Sequence, residues 1–193
     1  RALGNRPVMG INWFQARAYA RWLDGRLRQE KDSVLANLSG YAVRLPNEKQ
    51  WERAARATGF GAKNIHADRW PYRATKATLM DYANIGLSGI GRVSSVGVYP
   101  PTAIGLSDIV GNTWQWMDNA YSANSRDAFD AINEDGEREA IRNPALTSVA
   151  LRGGSWVSQP ALASCSSRYA IPPDDWGGAV GFRVVLSFDK SVA

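Results

Sequence analysis

Apolar residues recur at helical spacing near the beginning of the chain. They are Trp13, Ala16, Ala20 and Leu23, which lie three or four positions apart and so share one helix face. Asn12 comes directly before them, and its side chain can accept a hydrogen bond from the backbone of the first turn. The pattern predicts an amphipathic helix over residues 12–23.

A second helix is predicted directly after Asn47. The side chain of Asn47 can accept a bond from the first turn, and Gln50, three residues later, can reach back as in a capping box. Within this helix, Trp51, Ala54 and Ala55 are predicted to face the core, and Gly59 can supply the left-handed residue that ends it.

Short apolar segments bounded by turn residues replace the helical pattern after residue 68. They are residues 96–99, 105–110, 113–117, 149–151 and 182–188, and each fits one short strand. Residues 122–147 are charged and weakly apolar, which indicates an inserted surface loop or a short helix. Two helices followed by many short strands favour an α+β domain.

Residues 157–179, called the 157–179 segment below, have no helical period and only a trace of strand alternation. Prolines and glycines interrupt the segment at Pro160, Pro172, Pro173, Gly177 and Gly178. Ordered irregular backbone lies at the protein surface, where binding residues concentrate. We therefore expect the functional surface here.

The chain is rich in tryptophan, with 8 residues. Those in periodic segments are expected in the core: Trp13, Trp22, Trp51, Trp114 and Trp116. Those beside turn residues are the candidates for contact surface: Trp70, Trp156 and Trp176.

Composition excludes several classes of site. With 193 residues, 45% apolar and 21% charged, the chain fits one globular domain over residues 1–193. The sequence has no apolar run long enough to cross a bilayer, so no membrane insertion by this chain is expected. A single cysteine, Cys165, excludes an internal disulfide, and a single histidine, His66, excludes a multi-histidine metal centre. We expect His66 to be a loop residue.

The net charge of +5 comes mainly from scattered arginines. Several of them alternate with apolar residues at helical spacing, which is typical of a solvated helix face. Nucleic-acid binding needs a clustered basic patch or a known module, and the sequence shows neither. Nucleic acid is therefore not an expected partner.

Seven segments in the same order resemble the signature segments of the formylglycine-generating-enzyme (sulfatase-modifying factor) domain family. They are residues 7–13, 44–56, 82–85, 96–101, 105–116, 152–156 and 181–185. The resemblance spans nearly the whole chain and implies a C-type-lectin-like fold with little regular structure, two helices, a small antiparallel sheet and large ordered loops.

The activity of the family does not follow from the fold. The enzymes that this chain resembles bind copper with two cysteines, and Ser158 and Ala163 stand at those positions here. A hydroxyl and a methyl group cannot replace thiolate ligands of a soft metal. Cys165 matches a non-catalytic cysteine of the family and is expected to be a small buried residue. The resemblance therefore implies no enzymatic activity of the family's kind.

The end of the chain resembles a second branch of the superfamily, the variable proteins of diversity-generating retroelements. In that pattern residues 151–185 form the variable ligand-binding region. Aligned without a gap, its mutable positions are Val157, Ser158, Gln159, Ala161, Leu162, Ser167, Tyr169, Ala170, Ile171, Pro172, Asp175, Gly177, Gly178 and Ala179. Its framework positions are Arg168, Pro173, Asp174 and residues 181–183.

Mutagenesis at the adenines of asparagine codons cannot produce Lys, Glu, Gln, Met or Trp. All mutable positions except Gln159 obey this rule. The gapless spacing is the stronger argument. A conventional family member can also carry small residues in this loop, so both interpretations stay open. The retroelement interpretation implies a reverse transcriptase gene and an imperfect repeat of the segment encoding residues 151–185 in neighbouring DNA.

Family members often hold structural calcium, and the resemblance places one such site on Asp108, Gly111, Thr113 and Gln115. Their side-chain and backbone oxygens are of the kind that calcium binds. Gln115 stands where the family has glutamate, which removes a charge, so calcium is not expected to be required. The alternative, which we favour, is that Asp108 and Asn112 hydrogen-bond the loop backbone.

These observations predict a non-enzymatic protein that binds a ligand, expected to be another protein, through the 157–179 segment. Tyr and Trp supply rigid contact area and Ser and Gly supply adaptability, as in antibody loops. Tyr169, Ile171 and Trp176 are the expected anchors. The alternative is an oxidoreductase-like or inactive relative of the formylglycine-generating enzymes.

Overall fold

The computed structural model describes residues 4–33, 38–57, 69–72, 74–123 and 132–188. Gly59 and His66 lie outside these ranges, so their predicted roles stay predictions. The helices are α1 (Trp13–Gln29), α2 (Glu48–Ala55) and α3 (Glu134–Arg142). None of the described helices is long and apolar enough to span a membrane.

Both predicted helix starts are confirmed. The Asn12 side chain accepts from Gln15 N at 2.9 Å, and the Gln15 side chain returns a bond to Asn12 N at 3.0 Å. Asn47 and Gln50 form the same reciprocal pair at the start of α2. Each pair satisfies backbone donors that a helix start leaves without partners.

The strands are β1 (Tyr41–Arg44), β2 (Trp114–Ala120), β3 (Val149–Arg152), β4 (Arg168–Ile171), β5 (Val180–Gly181) and β6 (Val185–Phe188). Four of them form one sheet in the order β4-β3-β2-β5, and β1 pairs with β6 in a separate antiparallel ribbon. The pairing of β2 with β5 is parallel, so the larger sheet is not purely antiparallel as expected.

The helices α1 and α2 pack on opposite faces of the four-stranded sheet. Trp13 of α1 lies in one buried cluster with Trp116, and Trp51 of α2 lies in a second cluster with Met117. Successive residues of a strand point to opposite faces, so neighbouring side chains of β2 contact different helices. This arrangement confirms an α+β domain.

Two of the predicted strands are wrong, and the structure has a third helix where the sequence indicated a surface loop or a short helix. Residues 96–99 and 105–110 form turns and bends, because Gly97, Gly105 and Asp108 have left-handed φ values of 76°, 82° and 50°. The third helix, α3, lies within residues 122–147. The sequence shows no hydrophobic stripe there, in agreement with Ala140 being the one buried residue of α3.

The tryptophan predictions hold with three exceptions, one of which is Trp156, predicted to be contact surface but only partly exposed. Trp13, Trp51, Trp114 and Trp116 are buried as predicted. Trp22 is 57% exposed, because it lies on the outer face of α1. Trp70, predicted to be contact surface, is buried, and its indole N–H donates to Pro160 O at 3.4 Å.

Candidate functional site

The 157–179 segment begins after two glycines that fix the direction of the chain. Gly153 and Gly154 have φ values of 98° and 74°, which residues with a Cβ rarely adopt. A Cβ on Gly154 would also lie 2.8 Å from Ala163 Cα. The Arg-Gly-Gly-Ser-Trp motif therefore folds the segment back against the end of β3.

Backbone contacts hold the first part of the segment in place. Trp156 N donates to Asn112 O at 3.0 Å, and Gly86 N donates to Ser158 O at 2.9 Å. Ser158 is buried, and its Oγ accepts from Ser155 N at 2.9 Å. Ser158 thus faces the interior, which corrects its place among the predicted contact residues.

A buried charge cluster holds the middle of the segment. The Glu48 carboxylate, only 1% exposed, accepts from Arg168 Nε at 2.7 Å and from Arg168 NH2 at 2.6 Å. Arg152 also contacts Glu48, at 3.4 Å, and donates to Cys165 O at 2.7 Å. Buried charges are stable only when paired and hydrogen-bonded, so this cluster fixes residues 165–168 against α2.

The last part of the segment contains β4 and one tight turn. In β4, Tyr169 pairs with Leu151 of β3, and its ring lies 5.6 Å from the ring of Trp114. Asp175 N closes the turn on Pro172 O at 3.1 Å, and Trp13 N donates to Pro173 O at 3.0 Å. The strand at residues 168–171 was missed because its few residues show no clear alternation.

The two ends of the segment meet beside one short stretch of chain. Trp156 N binds Asn112 O, and Trp114 N donates to Ala179 O at 2.9 Å. Residues 112 and 114 are at most about 7 Å apart along an extended chain. The beginning and end of the segment therefore lie close together, and the exposed side chains of the segment form the candidate surface.

Most of the predicted contact residues lie at this surface. The exposed ones are Val157, Gln159, Ala161, Leu162, Tyr169, Asp175, Trp176 and Gly178. The partly buried ones are Ser167, Ala170, Ile171, Pro172, Gly177 and Ala179. Trp176 is 72% exposed and Tyr169 is 52% exposed, so both large aromatic side chains of the segment are accessible to a ligand.

Sequence reasoning missed two contributors to this surface. The ring of Trp114 packs against the ring of Tyr169, although its place in a periodic segment suggested only a core role. Leu87 is exposed and follows Gly86, whose N–H binds Ser158 O, so it extends the surface beside Val157. An isolated leucine in a turn carries no sequence signal of this kind.

Three of the four residues of the expected calcium site, Asp108, Gly111 and Gln115, are engaged in other bonds. Asp108 accepts from Gly97 N at 2.9 Å and from the Asn112 amide at 3.3 Å. Gln115 Oε1 accepts from Trp51 Nε1 at 2.8 Å and from Arg183 Nε at 2.5 Å. A guanidinium beside the ligand oxygen repels a second cation, so this arrangement does not fit calcium.

Gly111 and Thr113 belong to the same loop and are both buried. Gly111 N donates to Gly153 O at 2.8 Å, which ties the loop to the end of β3. Asn112 Oδ1 accepts from Ser94 N at 3.0 Å. The interpretation that Asp108 and Asn112 bind loop backbone is therefore confirmed.

The positions that the resemblance implies for copper ligands do not fit copper. Ser158 and Ala163 are buried and carry no thiol. Among the described residues, no group of three or more His, Cys, Asp or Glu side chains could hold a metal ion. Burial raises the pKa of the Cys165 thiol to about 11, so it is protonated at neutral pH and is a poor nucleophile.

A cavity of about 830 Å³ lies between α1, β1 and α3, and none of its lining residues belongs to the 157–179 segment. Arg17 and Asp118 line it, with Arg17 Nε 3.5 Å from Asp118 Oδ1. Among the described residues, this Oδ1 atom has no hydrogen-bond partner. Burial raises the pKa of Asp118 from 3.8 to about 6, and the charge of Arg17 opposes the rise.

We expect Asp118 to make the fold less stable as pH rises from about 4 to about 6. A pKa that is higher in the folded state means that folded protein binds the proton more tightly, so this stabilisation is lost as the group ionises, by about 3 kcal/mol in total. Asp118→Asn cannot ionise. Relative to the parent, its free energy of unfolding should be higher at about pH 8 than at about pH 4.

Urea denaturation of the parent and of Asp118→Asn at the two pH values measures this difference. Asp135→Asn, on the exposed start of α3, is the control and should show no such change. An Asp118→Asn effect that is equal at both pH values would contradict the predicted ionisation.

Known proteins confirm the resemblance seen in the sequence. The model of the sulfatase-modifying factor enzyme 1-like domain matches residues 1–188. The formylglycine-generating enzyme of Mus musculus is 24% identical over 184 residues, covering 93% of this chain and 44% of that protein. The inactive C-alpha-formylglycine-generating enzyme 2 of Bos taurus is 28% identical over 188 residues, covering 92% of this chain and 49% of that protein. This chain spans about half the length of these relatives.

The fold is also found among solved structures. Treponema denticola variable protein 1 superposes with a TM-score of 0.71 and 23% identity, over 95% of this chain and 72% of that chain. This likeness confirms the C-type-lectin-like fold expected from the sequence. With the family match extending over residues 1–188, the chain belongs to the sulfatase-modifying factor enzyme 1-like domain family.

Proposed function

We propose that this protein is a non-enzymatic ligand-binding protein whose contact surface is the exposed part of the 157–179 segment. One observation carries the proposal: the segment exposes its large side chains while its backbone is fixed. Val157, Leu162, Tyr169 and Trp176 are exposed hydrophobic residues. A rigid backbone lowers the entropy cost of binding, so these side chains can contact a ligand without first being ordered.

The division between framework and mutable positions supports a diversified surface over residues 151–185. At framework positions, Arg168 binds the buried Glu48, Pro173 is buried, and Gly181 is so close to Val8 O that a Cβ would clash with it, while Asp174 is exposed. At most mutable positions the side chain is exposed or partly exposed. Substitution at the exposed positions removes few scaffold contacts, as a retroelement variable protein requires, whereas Ile171 packs against the core.

A protein is the ligand that this surface fits best. Tyr and Trp side chains among small residues are typical of protein-binding loops. Small-molecule sites are usually concave, and the cavity between α1, β1 and α3 contains no residue of the segment. We propose that neither calcium nor another cofactor is required, because the binding residues are held by hydrogen bonds and ion pairs within the chain.

The alternative is an oxidoreductase-like or inactive relative of the formylglycine-generating enzymes. The matched relatives include both a formylglycine-generating enzyme and an inactive one. Ser158 and Ala163 favour an inactive member, because neither side chain can bind copper as a thiolate does.

We expect copper titration to show no tight stoichiometric binding. We also expect no oxygen consumption with a cysteine-containing sulfatase peptide. The physical reason is the missing thiolate pair, which a soft metal needs. Calorimetry and an oxygen electrode measure the two quantities, with an active formylglycine-generating enzyme as the positive control. Stoichiometric copper binding with turnover would contradict the proposal.

A further inference from the structure

The charged groups that the 157–179 segment exposes are both acidic. Its charged residues are Arg168, Asp174 and Asp175. The guanidinium of Arg168 binds the buried Glu48 and donates to Ser122 O at 2.8 Å. The positive charge is therefore neutralised within the fold, while Asp174 and Asp175 are exposed.

The carboxylates of Asp174 and Asp175 have no partner within the described part of the chain. No hydrogen bond or ion pair joins either one to another described residue. The exposed acids of α3 differ, because Glu134 and Asp135 both pair with Arg138, at 3.1 and 2.7 Å. In a chain of net charge +5, Asp174 and Asp175 form a local negative region at the contact surface.

The turn holds this negative region beside the most exposed aromatic side chain of the segment. Asp175 N bonds to Pro172 O, and Pro173 O accepts from Trp13 N at the start of α1. Trp176 follows directly and is 72% exposed. An indole face with nearby carboxylates attracts a lysine or arginine side chain through cation–π and ion-pair contacts.

We propose that the surface binds a protein or peptide segment that presents a lysine or arginine beside apolar side chains. The basic group contacts Asp174, Asp175 and Trp176, and the apolar groups contact the exposed hydrophobic side chains of the segment. This inference rests on the proposed function. The same carboxylates repel nucleic acids and anionic membranes, which leaves a basic protein segment as the complementary partner.

A phage-displayed library of random peptides provides the probe. The library is selected on the immobilised parent and depleted on Tyr169→Ala/Trp176→Ala. Enriched peptides are expected to contain more Lys and Arg than the unselected library, next to apolar residues. A synthetic peptide of the enriched sequence is then titrated against the parent and its variants.

Asp174→Asn/Asp175→Asn should weaken peptide binding about fivefold, as expected for two exposed ion pairs. The parent's affinity should also fall between about 0.05 M and about 0.3 M salt, because salt screens exposed charges. Glu134→Gln/Asp135→Asn, an adjacent acidic pair on α3, is the matched control and should bind like the parent. Melting temperatures check that all variants are folded.

Two results overturn different statements. Peptides that need Tyr169 and Trp176 but lack Lys and Arg, or that bind Asp174→Asn/Asp175→Asn like the parent, overturn the inference about a basic partner and leave the proposed function standing. Failure to enrich any peptide that depends on Tyr169 and Trp176 contradicts both the inference and the proposed function.

Discussion

Replacing Glu48 by alanine is expected to lower the free energy of unfolding by about 3 to 5 kcal/mol. The carboxylate is buried and accepts bonds from Arg168, Arg152 and Asn119. Its removal leaves the Arg168 guanidinium without the carboxylate that it hydrogen-bonds, and breaking a buried pair is costly because the remaining charge loses its main partner. Arg152 keeps Glu52 as a partner, so the loss concentrates on Arg168 and the segment that it holds.

Urea denaturation at neutral pH measures the loss. Glu134→Ala is the matched control, because this exposed glutamate pairs with Arg138 on the surface and should cost at most about 0.5 kcal/mol. Glu48→Gln keeps the shape and removes the charge, so its loss should lie between the two. A Glu48→Ala loss below about 1 kcal/mol would mean that the cluster does not hold the segment.

The starts of α1 and α2 could be predicted from sequence because the signal is local. Asn12 and Asn47 form their capping boxes with residues three positions later, and such spacing is visible in the sequence alone. The end of α1 could not be predicted in the same way. Residues 24–29 are held partly by contacts from outside the helix, such as the bond from Val43 N to Asp24 at 2.8 Å.

The place of the candidate site in the sequence could be predicted, but not the contacts that hold its backbone. Proline and glycine positions indicate irregular backbone at the surface. The Glu48 cluster joins residues far apart in the sequence, and no periodic pattern reports such a contact. Ser158 shows the same limit, because the aligned pattern placed it among the mutable contact positions whereas its bond with Ser155 N places it inside.

Truncating two exposed aromatic residues is expected to remove ligand binding. Tyr169 and Trp176 are the large aromatic side chains within the 157–179 segment, and both are exposed. Each aromatic anchor of an interface commonly contributes about 2 kcal/mol or more. One such loss raises Kd about thirtyfold, and two raise it about a thousandfold if the losses add.

The scaffold should tolerate this change. The Tyr169 ring contacts Trp114 at 5.6 Å, so its truncation costs part of one aromatic contact, about 0.5 to 1.5 kcal/mol. Trp176 is exposed and contributes little to the core. Tyr19 and Trp22 provide a matched control, because they are exposed aromatic residues of α1 with ring centroids 5.5 Å apart.

Affinity capture from lysate with quantitative mass spectrometry tests the binding surface most directly. The parent, Tyr169→Ala/Trp176→Ala and Tyr19→Ala/Trp22→Ala are used as baits at equal concentration after their melting temperatures are measured. We expect partners captured by the parent to be kept by Tyr19→Ala/Trp22→Ala and lost by Tyr169→Ala/Trp176→Ala. Retention of the same partners by Tyr169→Ala/Trp176→Ala would contradict binding through the 157–179 segment and place the interface elsewhere on the protein.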